Sequence, residues 1–199
     1  MNALLLIHVA WLGLGQSPAL MEGDLVFQRS TSRQSTAIQL ATGSDITHTG
    51  VVTMIRGEPH VLEAISRGVS LTPLKRWVAR DAKKRYWAKR LADRDRHLTA
   101  ETLARMKRVG LSFKGRPYDG RFQWDKRRLY CSELVHDIYL VGAGLSLGRV
   151  QQVGDLQLDH DLVQQLVRER MTQGLDTSEL IITPIAIFDD PRLVTVVAP

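Results

Sequence analysis

The sequence lacks the features that mark disulfide-bonded proteins, zinc enzymes and repeat proteins. Its 199 residues contain a single cysteine, Cys131, which excludes an intramolecular disulfide and a thiolate-rich zinc site. It has no His-Glu-x-x-His motif and no other clustered ligand spacing, so metal-dependent hydrolysis is disfavoured. It also has no internal repeat and no biased tract. These absences leave a compact globular protein whose sole thiol is a buried apolar group, an exposed one or a chemical tool.

No hydrophobic run is long enough to span a membrane. Residues 3–14 are mostly apolar, which is shorter than the roughly 20 residues of a transmembrane helix but right for the core of a secretory signal. Ser17 and Ala19 fit the small-residue positions of a cleavage site before Leu20. The absence of Lys or Arg near Met1 is atypical of such a signal. We predict a signal peptide and a periplasmic, secreted or envelope location, with a buried first helix in a cytoplasmic protein as the alternative.

The composition fits one domain. Hydrophobic residues make up 44% of the chain and charged residues 24%, which is enough apolar material for one well-buried core. We therefore expect a single domain over residues 20–199, preceded by the apolar segment over residues 1–19.

The charge balance favours anionic partners. Lys and Arg number 27 against 21 Asp and Glu, a formal net charge of +6. Basic residues between Lys75 and Arg96 alternate with Trp77, Tyr86 and Trp87, a pattern that can follow a nucleic-acid backbone. A solvated helical face followed by a strand explains the segment equally simply. Because no nucleic-acid motif accompanies the charge, we expect no nucleic-acid partner, and we note peripheral contact with an anionic envelope surface as an alternative use.

The periodicity of apolar residues predicts an α+β fold. Strands are predicted over residues 23–27, 48–55, 60–65, 68–72 and 85–91, and β-prone runs over residues 180–182 and 193–197. Helices are predicted within residues 30–40, over 74–78, over 99–109, from Cys131 to the glycines Gly142 and Gly144, and over 159–171. A mostly antiparallel sheet with helices on one side would bury these apolar faces.

Cys131 stands where a cysteine can be activated. It begins a predicted helix, and the free N–H groups and positive dipole end of a helix N-terminus favour a thiolate. The same N–H groups, including those of Cys131 and Ser132, could hold the oxyanion of a tetrahedral intermediate.

A catalytic cysteine also needs a base, and two histidines compete for that role. His136 lies five residues further along the same helix, which turns it about 140° away from Cys131 at 100° per residue. His48 begins a predicted strand, and Glu63 lies on the strand predicted to pair with it. A carboxylate placed there could accept the second ring N–H and stabilise the imidazolium, which is the logic of a triad.

Two stretches of the sequence resemble the signature blocks of NlpC-type cell-wall cysteine peptidases. One comprises Gly115-Arg116-Pro117-Tyr118 and Tyr130-Cys131-Ser132-Glu133-Leu134-Val135; the other comprises His48-Thr49-Gly50-Val51-Val52, Leu62-Glu63-Ala64 and Gly68-Val69. The histidine block comes first here, whereas the cysteine block comes first in the usual peptidases. This order resembles that of the YiiX/YebB-like permuted papain-like amidases, related in order to lecithin retinol acyltransferase. The opening and closing stretches, residues 23–27 and 183–190, are also similar to that branch.

The resemblance implies a circularly permuted papain-like fold and hydrolysis or transfer at an amide or acyl bond, without metal or organic cofactor. It implies Cys131 as nucleophile, His48 as base, Glu63 as orienting residue and Tyr118 as a substrate-site or oxyanion-side hydroxyl. The substrate would be a peptide, cell-wall or lipid acyl compound. Two positions depart from the family pattern: Glu63 replaces His or Asn, and Thr47 stands where Ser is commoner. The charge of Glu63 would favour a thiolate-imidazolium pair near neutral pH.

Besides a basic nucleic-acid-binding protein that uses the segment from Lys75 to Arg96, two alternative functions stay open at this point. The stretch Gly144-Leu145-Ser146-Leu147-Gly148, with Asp155, Asp159 and His160 downstream, matches the Gly-x-Ser-x-Gly nucleophile elbow. That elbow needs a preceding strand, whereas this stretch follows a predicted helix and is typical of its glycine-rich exit. A catalytically inactive papain-like binding module is the second alternative, because a fold does not determine function.

Overall fold

A computed structural model describes residues 19–199, so the predicted signal peptide lies outside the described residues except for Ala19. The strands are β1 (Leu25–Gln28), β2 (His48–Ile55), β3 (Glu58–Ile65), β4 (Gly68–Pro73), β5 (Trp87–Leu91), β6 (Gln151–Gln152), β7 (Leu180–Ile181) and β8 (Leu193–Val197). The helices are α1 (Arg33–Thr42), α2 (Leu74–Val78), α3 (Arg94–His97), α4 (Ala100–Ser112), α5 (Cys131–Ala143), α6 (Asp161–Arg170) and α7 (Pro184–Phe188).

The main sheet has six strands in the order β4-β3-β2-β1-β5-β8, and every pair in it is antiparallel. The two-residue strands β6 and β7 form a separate antiparallel pair. The predicted α+β architecture, with a mostly antiparallel sheet packed against helices, is therefore confirmed. Within residues 19–199 no helix has the length and apolarity needed to cross a bilayer.

The two faces of the sheet bury different sets of side chains, as the alternation of residues along a strand requires. One face packs against α4 and α5 and carries the main core, which includes Leu25, Val51 and Leu62 from the sheet and Leu134 and Ile138 from α5. The other face carries a smaller core around the fully buried Trp77 of α2. The helices α4 and α5 thus lie on one side of the sheet, and the short α2 covers the other.

The helix that begins at Cys131 is fixed in place by close packing against α4. A Cβ atom on Gly142 would come within 2.7 Å of Cα of Met106, so the two helices touch where only glycine fits. The prediction that Gly142 helps to end this helix was wrong, because Gly142 lies inside α5 at that contact. Gly144 does end it, with φ 70° in the left-handed region.

Several short elements differ from the sequence-based expectation. The β-prone run at residues 180–182 pairs with Gln151–Gln152 and not with the main sheet. The segment after Pro184 forms α7, which the prediction omitted although Thr183 caps it and Pro184 occupies its first turn. The stretch over residues 144–148 follows α5 and leads towards β6, so it lacks the strand that a nucleophile elbow requires.

Candidate active site

Cys131 is the first residue of α5 and is buried, with only 3% of its surface exposed. Tyr130 precedes it in an extended conformation, and the buried Tyr130 hydroxyl accepts a hydrogen bond from the Ile182 N–H over 3.1 Å. This hydrogen bond ties the residue before the helix to the segment that contains Ile182. The thiol lies at the helix N-terminus, where the backbone N–H groups of Thr49 and Ser132 help to lower its pKa.

His48 is the first residue of β2 and reaches the same point from the sheet. Its ring lies beside the Cys131 side chain, and each group shifts the pKa of the other. Its Nε2 lies 2.6 Å from Oε2 of Glu63 on β3. The ring stacks on Trp77 with the centroids 6.2 Å apart and the planes 26° apart. Because Nε2 faces the carboxylate, Nδ1 is the ring nitrogen left for the sulfur.

Glu63 is completely buried and its two oxygens are saturated with donors. Oε1 accepts hydrogen bonds from Thr72 Oγ1 (2.6 Å) and Arg80 Nη2 (2.6 Å). Besides its contact with His48, Oε2 accepts from Trp77 Nε1 (2.9 Å) and Arg80 Nη1 (2.7 Å). A buried carboxylate is tolerated only when it is paired and fully hydrogen-bonded, and both conditions are met here.

Gly50 makes room for the His48–Glu63 contact. A Cβ atom on Gly50 would stand 2.5 Å from Cγ1 of Val61 and 3.3 Å from Cβ of Glu63. Any larger residue at this position would therefore push β2 and β3 apart beside the carboxylate. The glycine of the His-Thr-Gly motif is explained by this close approach.

The ionisation of the three groups is coupled. Burial alone would lower the pKa of His48, but hydrogen bonds with Cys131 and Glu63 raise this pKa to about 9. Burial alone would raise the pKa of Glu63, but hydrogen bonds from His48 and Arg80 lower it to about 2. Burial likewise opposes ionisation of Cys131, yet the hydrogen bond and charge of His48 bring its pKa below the ordinary value. Both shifts act in favour of a thiolate beside an imidazolium, the pair found in activated cysteines.

Tyr118 and Ser132, the two predicted substrate-side residues, lie close to Cys131 but differ in what their hydroxyls do. Tyr118 lines the same cleft as Cys131, and its hydroxyl accepts a 2.5 Å hydrogen bond from Nε2 of Gln34. Burial and the nearby charge of Cys131 raise the pKa of Tyr118, so its O–H proton remains available to donate. The Ser132 hydroxyl donates to the Ile182 carbonyl at 2.8 Å, and the Ser132 backbone N–H is one of the groups that lower the pKa of Cys131.

His136, the histidine that the sequence disfavoured as the base, makes its contacts elsewhere in the fold. It is buried, its Nδ1 lies 3.1 Å from the Leu147 carbonyl oxygen, and its ring packs against Trp124. Two residues of the segment from Lys75 to Arg96 are engaged within the fold. Trp77 is fully buried and Arg80 binds Glu63, so these two residues do not form a free stacking surface.

The cluster opens onto a cleft of about 630 Å³. Cys131, His48 and Tyr118 line it, so the reactive groups face a space that a substrate can enter. Arginines surround this space, namely Arg29, Arg33, Arg67, Arg80 and Arg170, and among residues 19–199 no Asp or Glu lines it.

Sequence reasoning missed four side chains of the site: Gln34, Thr72, Trp77 and Arg80. Trp77 and Arg80 fell within the segment interpreted by its basic and aromatic residues, and no motif connects them to Glu63. A signal did exist for Thr72, because it pairs with Val61 across β3 and β4, on the same face as Glu63 two residues on. Gln34 lies on a helix of weak amphipathicity, and nothing local singles it out.

The antiparallel sheet, the cysteine at a helix N-terminus and the histidine on a neighbouring strand define the papain-like class of cysteine hydrolases. A family model described as "Permuted papain-like amidase enzyme, YaeF/YiiX, C92 family" matches residues 19–197. The chain therefore belongs to the permuted papain-like amidase family, in which the histidine strand precedes the cysteine helix. This confirms the family and the fold that the motif order predicted.

Two proteins of Escherichia coli show the same relationship. The chain is 37% identical over 174 residues to the protein of strain K12 named "Uncharacterized protein YiiX", covering 87% of this chain and 84% of the relative. It also resembles the crystal structure of YiiX from strain O157:H7, with a TM-score of 0.83, 38% identity and coverage of 89% of this chain and 97% of that one.

The O157:H7 protein is described as a metalloprotein. Among residues 19–199 of the present chain, no three His, Cys, Asp or Glu side chains are grouped so that they could hold a metal ion. Glu63, the one carboxylate at the cluster, already has both oxygens occupied by donors. The described residues therefore do not fit a metal at this site.

The coupled ionisation predicts unusual alkylation kinetics at Cys131. At pH 6 a free thiol with a pKa of about 8.5 is almost entirely protonated. The hydrogen bond and charge of His48 lower the pKa of Cys131 and so increase its thiolate fraction at that pH, and the pKa of about 9 keeps His48 charged beside it. Iodoacetamide should therefore label the folded protein at pH 6 faster than it labels a free thiol. The His48→Ala variant should lose this advantage. Equal rates for wild type and a free thiol, measured by intact mass, would contradict the activated pair.

Replacing Glu63 with Gln tests what holds the imidazolium. The amide keeps the shape but loses the charge opposite His48 and Arg80, so the pKa of His48 should fall and alkylation at pH 6 should slow. Removal of one member of a buried ion pair should also lower the free energy of unfolding by about 3 kcal/mol. Because the lowered pKa of Glu63 stabilises the fold above about pH 4.5 and loses this effect as the pH falls towards 2, the stability difference should shrink in acid. Glu58→Gln, an exposed change on the same strand, is the control and should alter neither quantity.

Proposed function

We propose that this protein is a cysteine amidase or acyl-ester hydrolase that works through an acyl-enzyme on Cys131. The observation that carries the proposal is that Cys131 and His48 line the same cleft, with His48 hydrogen-bonded to Glu63 over 2.6 Å. The thiol and the imidazole also shift each other's pKa towards the charged forms. Membership of a papain-like amidase family supports the same chemistry.

In the proposed first step the Cys131 thiolate attacks the substrate carbonyl carbon and forms a tetrahedral intermediate. Its oxyanion is stabilised by backbone N–H groups at the start of α5, with the protonated Tyr118 hydroxyl as a second donor. His48 then gives its Nδ1 proton to the leaving group as the bond to that group breaks. Glu63 acts as a positioning residue, because it fixes the ring through Nε2 and never touches the reacting atoms.

The second step releases the acyl group. His48, now neutral, takes a proton from a water molecule, and the resulting hydroxide attacks the thioester carbonyl. The C–S bond breaks, a carboxylic acid leaves and the thiolate-imidazolium pair is restored. An acceptor other than water in the same position would make the reaction a transfer, so hydrolase and acyltransferase are two outcomes of one mechanism.

The compartment remains a proposal supported by the sequence. The apolar segment over residues 3–14 and the small residues near Ala19 favour export to the envelope. Peptidoglycan stem peptides, lipid esters and acylated proteins would all meet the enzyme there, and the positive net charge is suited to an anionic surface. A cytoplasmic enzyme with an uncleaved first helix is the alternative.

Trapping the acyl-enzyme tests the proposed function most simply. Because Cys131 is the sole cysteine of the chain, any thioester formed with an activated acyl ester must lie on it. Brief incubation followed by acid quenching should add the mass of one acyl group, which then disappears as the product forms. Cys131→Ala should show neither the adduct nor turnover, and His48→Ala should slow acylation by at least about 100-fold. An adduct-free wild-type protein, or turnover that survives in Cys131→Ala, would refute the proposal.

A further inference from the structure

The side chain of Cys131 lies between two spaces of opposite character. One is the arginine-lined cleft of about 630 Å³, and the other is an apolar cavity of about 110 Å³. Gln34, Ile38 and Arg170 line both spaces together with Cys131. A substrate whose carbonyl carbon is attacked by this sulfur could thus place its acyl group in one space and its leaving group in the other.

The apolar cavity is formed where α1 meets α6. Ala37 and Ala41 of α1 face Val163 and Leu166 of α6, and all four are buried. The buried Ile182 contributes to the wall near Ser132. The small alanines on α1 keep the space open, because a larger side chain at either position would fill it.

The volume of the cavity limits what it can hold. An apolar cavity of ~150 Å³ binds one benzene molecule and otherwise stays dry. By that scale, about 110 Å³ accommodates about four carbon atoms. Its walls offer few polar partners for water, so a short aliphatic group is the occupant that its chemistry favours.

The arginine-lined cleft is suited to charged groups, whereas the cavity is suited to apolar ones. Arg29, Arg33 and Arg80 are paired with Asp45, Glu169 and Glu63 respectively. Within residues 19–199, Arg67 and Arg170 line the cleft without a carboxylate within ion-pair distance. Guanidinium groups are suited to carboxylate and phosphate oxygens, so the cleft favours an anionic group.

We propose that the substrate is an acyl compound whose short aliphatic acyl group enters the apolar cavity while an anionic leaving group occupies the arginine-lined cleft. This inference rests on the proposed cysteine hydrolase function and names its substrate class. The Cys131 thiolate forms a bond to the acyl carbon, and the bond to the anionic leaving group breaks as that group takes the His48 proton. Water then supplies the hydroxyl of the released acid, and His48 recovers a proton from it.

A panel of thioesters tests the preference for the acyl group and the preference for the leaving group separately. Acyl groups from acetyl to octanoyl are each joined to mercaptoethanol, mercaptopropionate or mercaptoethyl phosphate, so that chain length and charge vary independently. We expect kcat/KM to rise about fourfold per methylene until about four carbons beyond the carbonyl are buried, and then to stop rising. At equal chain length the anionic thioesters should be preferred over the neutral one by about threefold or more. The carboxylate and phosphate arms show which anion the cleft prefers.

Two variants test whether the apolar cavity determines the acyl-group preference and the arginine-lined cleft determines the leaving-group preference. Ala41→Leu should fill the cavity and abolish the gain from longer acyl groups while acetyl transfer continues. Thr36→Leu, an exposed substitution on the same helix, is its control. Arg67→Gln should reduce the preference for anionic leaving groups, whereas Arg108→Gln, an exposed change on α4 outside the cleft, should not.

The outcomes of these experiments distinguish the proposed substrate class from the proposed cysteine hydrolase function on which it rests. If Cys131 is acylated equally well by acetyl and longer thioesters, or by neutral and anionic ones, the hydrolase stands and the substrate class is wrong. If no thioester acylates Cys131, the proposed function fails as well. A chain-length gain in the wild type that persists unchanged in folded Ala41→Leu would place the acyl group elsewhere and overturn the assignment of the cavity.

Discussion

The active-site geometry depends on one buried carboxylate, that of Glu63, and on the hydrogen bond it makes to His48. Removing an ionised carboxylate from water is costly, and the cost is offset only by complete hydrogen bonding and an opposite charge. Thr72, Trp77 and Arg80 supply this compensation from β4, from α2 and from the turn after α2. The second and third strands, the helix that covers them and the imidazole are therefore fixed by a single group.

Arg80 also changes the charge balance at the site. A carboxylate facing only His48 would form a simple ion pair with the imidazolium and would compete with the sulfur for that charge. With Arg80 bound to both Glu63 oxygens, the carboxylate already has a cation, and the imidazolium is left to balance the Cys131 thiolate. The cluster then contains two positive and two negative groups, which is the arrangement that a poorly solvated site tolerates best. Glu63, which stands where the resembling peptidases have His or Asn, is thus accompanied by an arginine that balances its charge.

Much of this arrangement could be predicted from the sequence, for reasons that differ between its parts. The hairpin from His48 to Ile65 and the helix from Cys131 have strong local periodicity, and the motif order identified the permuted family. The partners of Glu63 could not be predicted in this way. Arg80 lies 17 residues from Glu63 in the chain and meets it only because β4 and α2 fold back over the sheet. A charge-rich segment looks the same in sequence whether its arginines face water or a buried carboxylate.

The protonation state of His48 is the most direct measure of the thiolate-imidazolium pair. Nitrogen-15 NMR of the imidazole in the intact protein reports whether both ring nitrogens carry protons. We expect an imidazolium at neutral pH that titrates near pH 9 and that returns to an ordinary pKa in Cys131→Ala combined with Glu63→Gln. A neutral ring at pH 7 in the wild-type protein, with a single protonated nitrogen, would contradict the thiolate-imidazolium pair.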